Sequence, residues 1–384
     1  MAGYIISLSD PAALLHCVLT GVYGTMVPEP KGLWRPYQEG TFADYTAMAP
    51  GDNLYFFSKR NIYGIGEVVY AGDACSYLNY PGASWPVVKK YAEVHDSLLW
   101  DIGPKSELVR WICTFRPGPQ FFQLGVDMDD VLSSNPIAFR SLRSFSGLSF
   151  IKCDDIENQA LKDVIYRANF KFPKPALLES VHEETHRRIA ETTKTGSYRL
   201  DPAEIMESCA DGVRLKHEMA IEAGLFAQLA DRDNETTSVF GIWDYVSHQV
   251  VASPFKPLQW VDKMDIFGYA TLPKHPTIRT RYLVCEVKRD EAKESEIDQL
   301  IKYVDWIKDE YCSGDYGMIK AFLVAHKFPK QVIEHRNAFA KRIYTIGHRP
   351  AITSTWQALT LISYQFDASS RKLLFKETSP LAAT

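Results

Sequence analysis

At residues 282–285 the chain runs Tyr-Leu-Val-Cys and then breaks its own pattern with Glu286-Val287-Lys288. Four apolar or aromatic residues read as a strand entering a core. Alternate side chains share a face of a strand, so Glu286 and Lys288 project together while Cys285 and Val287 point the other way. An acid and a lysine in that place require an explanation, because charged groups near a core are costly unless paired or bound to metal. Asp265 sits in a second short apolar strand, Met264-Asp265-Ile266-Phe267. Gln299 follows Glu286 at a helical remove, and Tyr303 stands one turn further on the same helix face. Asp262 competes with Asp265, but Asp265 is flanked by the better strand.

A length of 384 residues suits two to three domains. The first 160 or so read as strand-rich, with runs at Gly3–Ser7, Asn53–Ser58 and Gly64–Val69. Turn residues place a hairpin over Asn53–Val69, and Pro11–Leu19 has helical spacing with Asp10 as N-cap. A small α+β domain or β-barrel with one or two helices is expected for 1–165. A breaker cluster, Lys171-Phe172-Pro173-Lys174-Pro175, then opens a charged helical connector over 166–204. From 205 to 384 the order is a helix over Ala203–Ala230, a polar loop over Asp231–Thr237 and an aromatic-rich segment to Trp260. Strands at Lys263–Tyr269 and Arg281–Lys288, a helix at Glu294–Glu310, a strand at Ile319–Ala325 and a helix at Pro329–Lys341 follow. That order predicts a mixed sheet flanked by helices, in a two-domain α+β or α/β chain.

Asp265, then Glu286-x-Lys288, then Gln299-x-x-x-Tyr303 resembles the PD-(D/E)XK nuclease superfamily, in the branch with a Q-x-x-x-Y helix. Val284 through Trp306 and Lys320 through Ala325 look like the core of the mismatch-cutting endonucleases and their relatives, which implies a restriction-endonuclease-like fold. One departure is Met264 where the motif has proline. The resemblance implies Asp265 and Glu286 as Mg²⁺ ligands (Mn²⁺ as substitute), with the Cys285 or Val287 carbonyl and water. It makes Lys288 the residue that orients the attacking water, and Gln299 and Tyr303 residues that steady the site and contact substrate. A carboxylate from the preceding helix, Glu222 or as second choice Glu218, is expected to complete the set, and Arg289 is expected to contact nucleic acid. Hard oxygen ligands and a divalent ion are what phosphodiester hydrolysis needs, to activate water and offset charge on the phosphate.

In the first domain, Tyr4–Ser7, Gly21–Thr25, Gly51–Ser58 and Tyr63–Glu67 resemble the EVE/YTH branch of the PUA-like fold, with Ser144–Lys152 as its closing segment. Such domains bind nucleic acid and often hold a modified base between aromatic side chains. Tyr23 stands where these families carry a cage tryptophan. Trp34, Trp85 and Trp100 are further candidates, and Ser7, Asn53 and Ser58 offer hydrogen bonds to a base edge. Each aromatic is as readily a core residue.

His182-Glu183-Glu184-Thr185-His186 also matches H-E-x-x-H, the helical zinc-peptidase pattern. Its charged flanks and the lack of a third ligand favour an exposed linker helix. The net charge of −4 is close to balance, so no general attraction to polyanions can be read from it, although Glu286–Glu310 is acidic and the stretch from Ser313 onward basic. Seven scattered cysteines without a C-x-x-C pair argue against a disulfide framework. No basic leader or long apolar run is present, so a cytoplasmic chain is expected.

Together these readings predict a Mg²⁺-dependent DNA endonuclease with a sensor domain, similar to modification-dependent restriction enzymes and Shedu-type antiphage nucleases. A homo-oligomer, dimer or tetramer, would set two sites across a duplex. The alternatives are a mismatch-type repair endonuclease and a catalytically silent nucleic-acid-binding protein.

Overall fold

The computed structural model describes residues 2–8, 11–27, 41–84, 89–139, 150–172, 179–252, 262–347 and 349–378. They form a mixed α/β chain of two compact units, Met1–Asp201 and Pro202–Thr384. Among the described residues no helix is long and apolar enough to cross a membrane.

The first unit runs β1 (Gly3–Ser7), α1 (Pro11–Thr20), β2 (Val22–Met26), α2 (Thr41–Ala47), β3 (Asn53–Ser58), β4 (Asn61–Val68), β5 (Ser76–Leu78), α3 (Tyr91–Val94), β6 (Val109–Pro117), β7 (Val126–Asp127), α4 (Met128–Ser134), β8 (Phe150–Cys153), α5 (Asp155–Asn169) and α6 (Glu179–Thr193). The β3–β4 hairpin turns at Lys59-Arg60, both at positive φ (47° and 68°), the mirror-image geometry a two-residue hairpin needs. The sheet order is β2-β6-β4-β3-β1-β8, with β5 on β6 and β7 on β4. It curls, but β2 and β8 do not pair among the described residues, so the sheet is a half-barrel rather than the closed barrel that was one expectation. Helix α5 is fixed at its start by a capping box, in which Asp154 accepts from Glu157 N–H and Glu157 accepts from Asp154 N–H. Its Leu161 and Ile165 then close over Ile5, Tyr55, Phe57 and Ile62. Burial of each such side chain stabilises the unit by about 1.5–3 kcal/mol.

The expected connector and its exposed helix differ from what is observed. Helix α6 belongs to the first unit and packs on α1. His182, His186, Ile189 and Thr193 form its inward stripe, and His182 is only 7% exposed. The backbone of Gly21, at φ +63°, lies so close beneath that a Cβ there would meet His186 Nε2 at 2.8 Å. His186 Nε2 is hydrogen-bonded to Gly21 O at 2.9 Å, and the His182 ring stands edge-on to it. The pair is thus spent on packing and a backbone contact.

The second unit runs α7 (Pro202–Ser208), β9 (Ala210–Asp211), β10 (Arg214–Leu215), α8 (Glu218–Ala230), α9 (Asn234–Phe240), β11 (Tyr245–Val251), β12 (Lys263–Leu272), β13 (His275–Val287), α10 (Glu294–Glu310), β14 (Ile319–Ala325), α11 (Lys330–Phe339), β15 (Arg342–Ile346), β16 (Ile352–Trp356), β17 (Leu359–Asp367) and β18 (Lys372–Glu377). Its main sheet has the order β11-β12-β13-β14-β17-β18, antiparallel at both ends and parallel through β13-β14-β17, a mixed sheet as expected. Helix α10 packs on β13 and β14, and α8 on β11, β12 and β18. The single helix expected over Ala203–Ala230 is broken, because Asp211-Gly212, with Gly212 at φ +63°, turns the β9–β10 hairpin between α7 and α8. The polar stretch after Asp231 is not all loop either, since Asp233 caps α9 by accepting from Glu235 and Thr236 N–H.

Candidate active site

Three elements of the second unit carry the side chains singled out in sequence. Asp265 lies on β12, Glu286 near the end of β13, and Gln299 and Tyr303 on α10. Glu286 continues the face of Tyr282 and Val284 that packs on α10, and is 2% exposed. Gln299 Nε2 donates to Glu286 Oε1 at 3.1 Å and also to the Tyr303 hydroxyl, which donates in turn to Lys263 O at 3.0 Å. The Q-x-x-x-Y helix therefore orients the Glu286 carboxylate. Asp265 Oδ2 accepts from Val287 N–H at 2.7 Å, which locks β12 to the end of β13.

Helix α8 brings two further acids one turn apart. It is buried along most of its length, so Glu222, 6% exposed, sits in an otherwise apolar stripe. Lys288 Nζ lies 2.8 Å from Glu286 Oε1 and 3.2 Å from Glu218 Oε1. Of the two helix acids, Glu218 thus holds Lys288, while Glu222 is joined to Asp265 by the link described next. Arg289 is half-exposed; its Nε donates to Asp290 and its Nη1 to Lys216 O.

Two residues of this centre were not anticipated in sequence. His248 Nε2 is 2.6 Å from Glu222 Oε2, and Gln249 Nε2 donates both to Glu222 Oε2 at 3.3 Å and to Asp265 Oδ1 at 3.1 Å. Consecutive residues of a regular strand face opposite ways, yet both reach one carboxylate oxygen. Gln249 makes this possible by adopting φ +53°, a left-handed conformation that costs a non-glycine residue on the order of 1 kcal/mol. Gln249→Gly should therefore be about 1 kcal/mol more stable than Gln249→Ala, since both lose the amide but only glycine relieves the strain. Urea denaturation of the two variants in chelator checks this, and equal midpoints would count against it.

The electrostatics are lopsided. Burial, then Glu286 and Glu222, hold the Asp265 carboxyl well above the usual carboxylate range, against the opposing pull of Lys288. Burial raises Glu286 to about 7, although Lys288 favours its charged form. Burial alone would lower the Lys288 ammonium, but Glu286, Asp265 and Glu218 outweigh it and raise it above the usual lysine range. One lysine does not balance these carboxylates. Glu286 Oε2 is moreover fully buried and has no hydrogen-bond partner. A buried carboxylate oxygen left in that state costs free energy unless a cation or donor reaches it.

Among the described residues no group of three or more His, Cys, Asp or Glu is set for coordination as it stands. Lys288, His248 and Gln249 each engage a carboxylate oxygen of the cluster. The donor set is nonetheless all hard oxygen, which suits Mg²⁺ or Mn²⁺. The orphaned Glu286 Oε2 fits such an ion. Asp265 and Glu286 would hold it, while Glu222 Oε2 is engaged by both His248 and Gln249.

In the first unit, Tyr23 and Trp100 line one cavity of about 600 Å³, together with Ser7, His16, Thr25 and Asp101. Both aromatics are also largely packed. Tyr23 stacks on Tyr45 and is 5% exposed, and Trp100 Nε1 donates to Thr20 Oγ1 beside the His16 ring. Asn53 is buried and tied to Gly66 O and Asn158, and Ser58 is buried, so neither presents a free edge to a base. Trp34, Trp85 and Ser144–Ser149 lie outside the described residues. Comparison of the chain with family models, with curated proteins and with solved structures returned no match.

Proposed function

We propose that the chain is a Mg²⁺-dependent DNA endonuclease whose second unit hydrolyses phosphodiester bonds and whose first unit recognises a feature of the nucleic acid, such as a modified base. The observation that carries this reading is the orphaned, buried Glu286 Oε2 beside Asp265 and Lys288. When bound, the divalent ion supplies Lewis acidity at the phosphate and lowers the pKa of a coordinated water. Asp265 and Glu286 hold it, Gln299 and Tyr303 keep Glu286 in place, and the Lys288 ammonium orients the attacking water and offsets charge on the phosphate. A role in defence against foreign DNA and assembly into a dimer or tetramer, which would pair two sites across a duplex, belong to the same proposal.

Calorimetric titration of Mn²⁺ or Mg²⁺ into the full chain tests it without needing the right DNA. One ion per chain should bind, and binding should vanish in Glu286→Gln. A wild-type protein that takes up no divalent ion would refute the reading.

A further inference from the structure

Away from the cavity that Tyr23 and Trp100 line, the first unit has a second concavity, an open groove of about 510 Å³ between the 3-10 turn Pro119–Phe122 and helix α5. Its walls include Arg116, Gln120, Phe121, Lys162 and Tyr166. Two aromatic rings line it, Phe121 and Tyr166, 6.1 Å apart, and Phe170, one helical turn beyond Tyr166, stacks on that ring at 6.4 Å. Tyr166 is 57% and Phe170 66% exposed, so both rings are offered to solvent side by side. Gln120 Oε1 is buried and has no hydrogen-bond partner.

The charges around the rings are of one sign in excess. Lys162, Arg167 and Lys171 alternate with Tyr166 and Phe170 along the end of α5 and just beyond it. Within the groove the charges balance, Arg116 paired with Glu67 and Lys162 matched by Asp163, so the two positive charges in excess are Arg167 and Lys171, next to Tyr166 and Phe170 in the chain. Flat rings offered to solvent at helical spacing, with cations between, suit bases that stack and phosphates that follow at the rim.

We propose that the α5 groove binds single-stranded nucleic acid, with bases stacked on Tyr166 and Phe170 and phosphates met by Lys162, Arg167 and Lys171. The site deepens the reading of the first unit as a nucleic-acid reader. It would let the chain hold a displaced or frayed strand, and it needs no specific base, since every base has a π face.

Fluorescence anisotropy of labelled oligothymidylate and oligouridylate with the full chain in chelator tests this, and so separates it from cleavage. Binding of either should weaken about 10-fold to 100-fold in Tyr166→Ala/Phe170→Ala. In Lys162→Glu/Lys171→Glu it should weaken too, with a shallower salt dependence. All four side chains are at least partly exposed, so unchanged melting temperatures would show that the fold survives. Binding to the single strands that is the same in wild type and both variants overturns the proposal, as does a wild type that binds neither oligonucleotide. The first outcome would place strand binding elsewhere, and the second would make the rings a protein-docking face. Glu286→Gln should bind the oligonucleotides as wild type does, whatever becomes of cleavage.

Discussion

Glu286→Gln should be inactive and, in chelator at pH 8, more stable than the wild type. Glu286 has a pKa of about 7 in the fold against 4.5 ordinarily, with burial as the main cause. A carboxyl whose folded pKa is raised contributes stability that is complete below about 4.5 and is lost as pH rises through about 7. Keeping Glu286 ionised in the metal-free fold therefore costs about 3 kcal/mol at pH 8. Glutamine keeps the shape and the contact to Gln299 without the charge. The stability difference between variant and wild type should vanish near pH 4 and reach about 3 kcal/mol above pH 7, which denaturation across pH measures. Mg²⁺ should restore stability to the wild type alone, by about 2.7 kcal/mol at a hundred times the dissociation constant. Cleavage should fall by about 10³-fold or more, since a charge-stabilising metal is worth several kcal/mol in the transition state.

Lys288→Ala should divide the same quantities differently. Lys288 is the cation within ion-pair distance of both Glu286 and Glu218. Breaking a buried pair from one side costs about 3–5 kcal/mol, and the 20% exposure of Lys288 puts the expected loss at the lower end, about 3 kcal/mol at pH 8. Below pH 7 the loss should shrink, because Glu286 takes up a proton instead. Metal binding should persist or tighten, since a competing cation has gone from the carboxylates. Cleavage should still drop about 10²–10³-fold, the scale of losing one charge-stabilising donor. Metal affinity kept while turnover is lost distinguishes a group that acts on water and phosphate from a ligand. Loss of both would move Lys288 into a purely structural role.

The strands that carry Asp265 and Glu286 were legible because an apolar run ending in Glu-x-Lys has few inexpensive structural solutions. The mixed sheet followed from the order of strands and helices around it. The β9–β10 hairpin was missed although Asp211-Gly212 is a turn signal, because the apolar spacing on either side reads as one helix. The inward stripe of α6 was likewise visible as His182, His186, Ile189 and Thr193 at helical spacing, but the charged residues between them suggested a solvated connector. His248 and Gln249 could not be read at all. Their role depends on a left-handed residue in β11 and on contacts to Glu222, 26 and 27 positions away, and neither leaves a local pattern. The strands β15 to β18 were not among the expected elements, although β17 is buried along most of its length.

The most direct measurement is cleavage of plasmid and phage DNA, modified and unmodified, by the full chain in Mg²⁺, Mn²⁺ or chelator, beside Glu286→Gln and Lys288→Ala. The account predicts cutting that requires the metal and is lost in both variants, with a preference among the DNAs that reveals what the first unit reads. Cutting that survives chelator or either substitution, or a wild type that binds metal yet leaves every DNA intact, would contradict it.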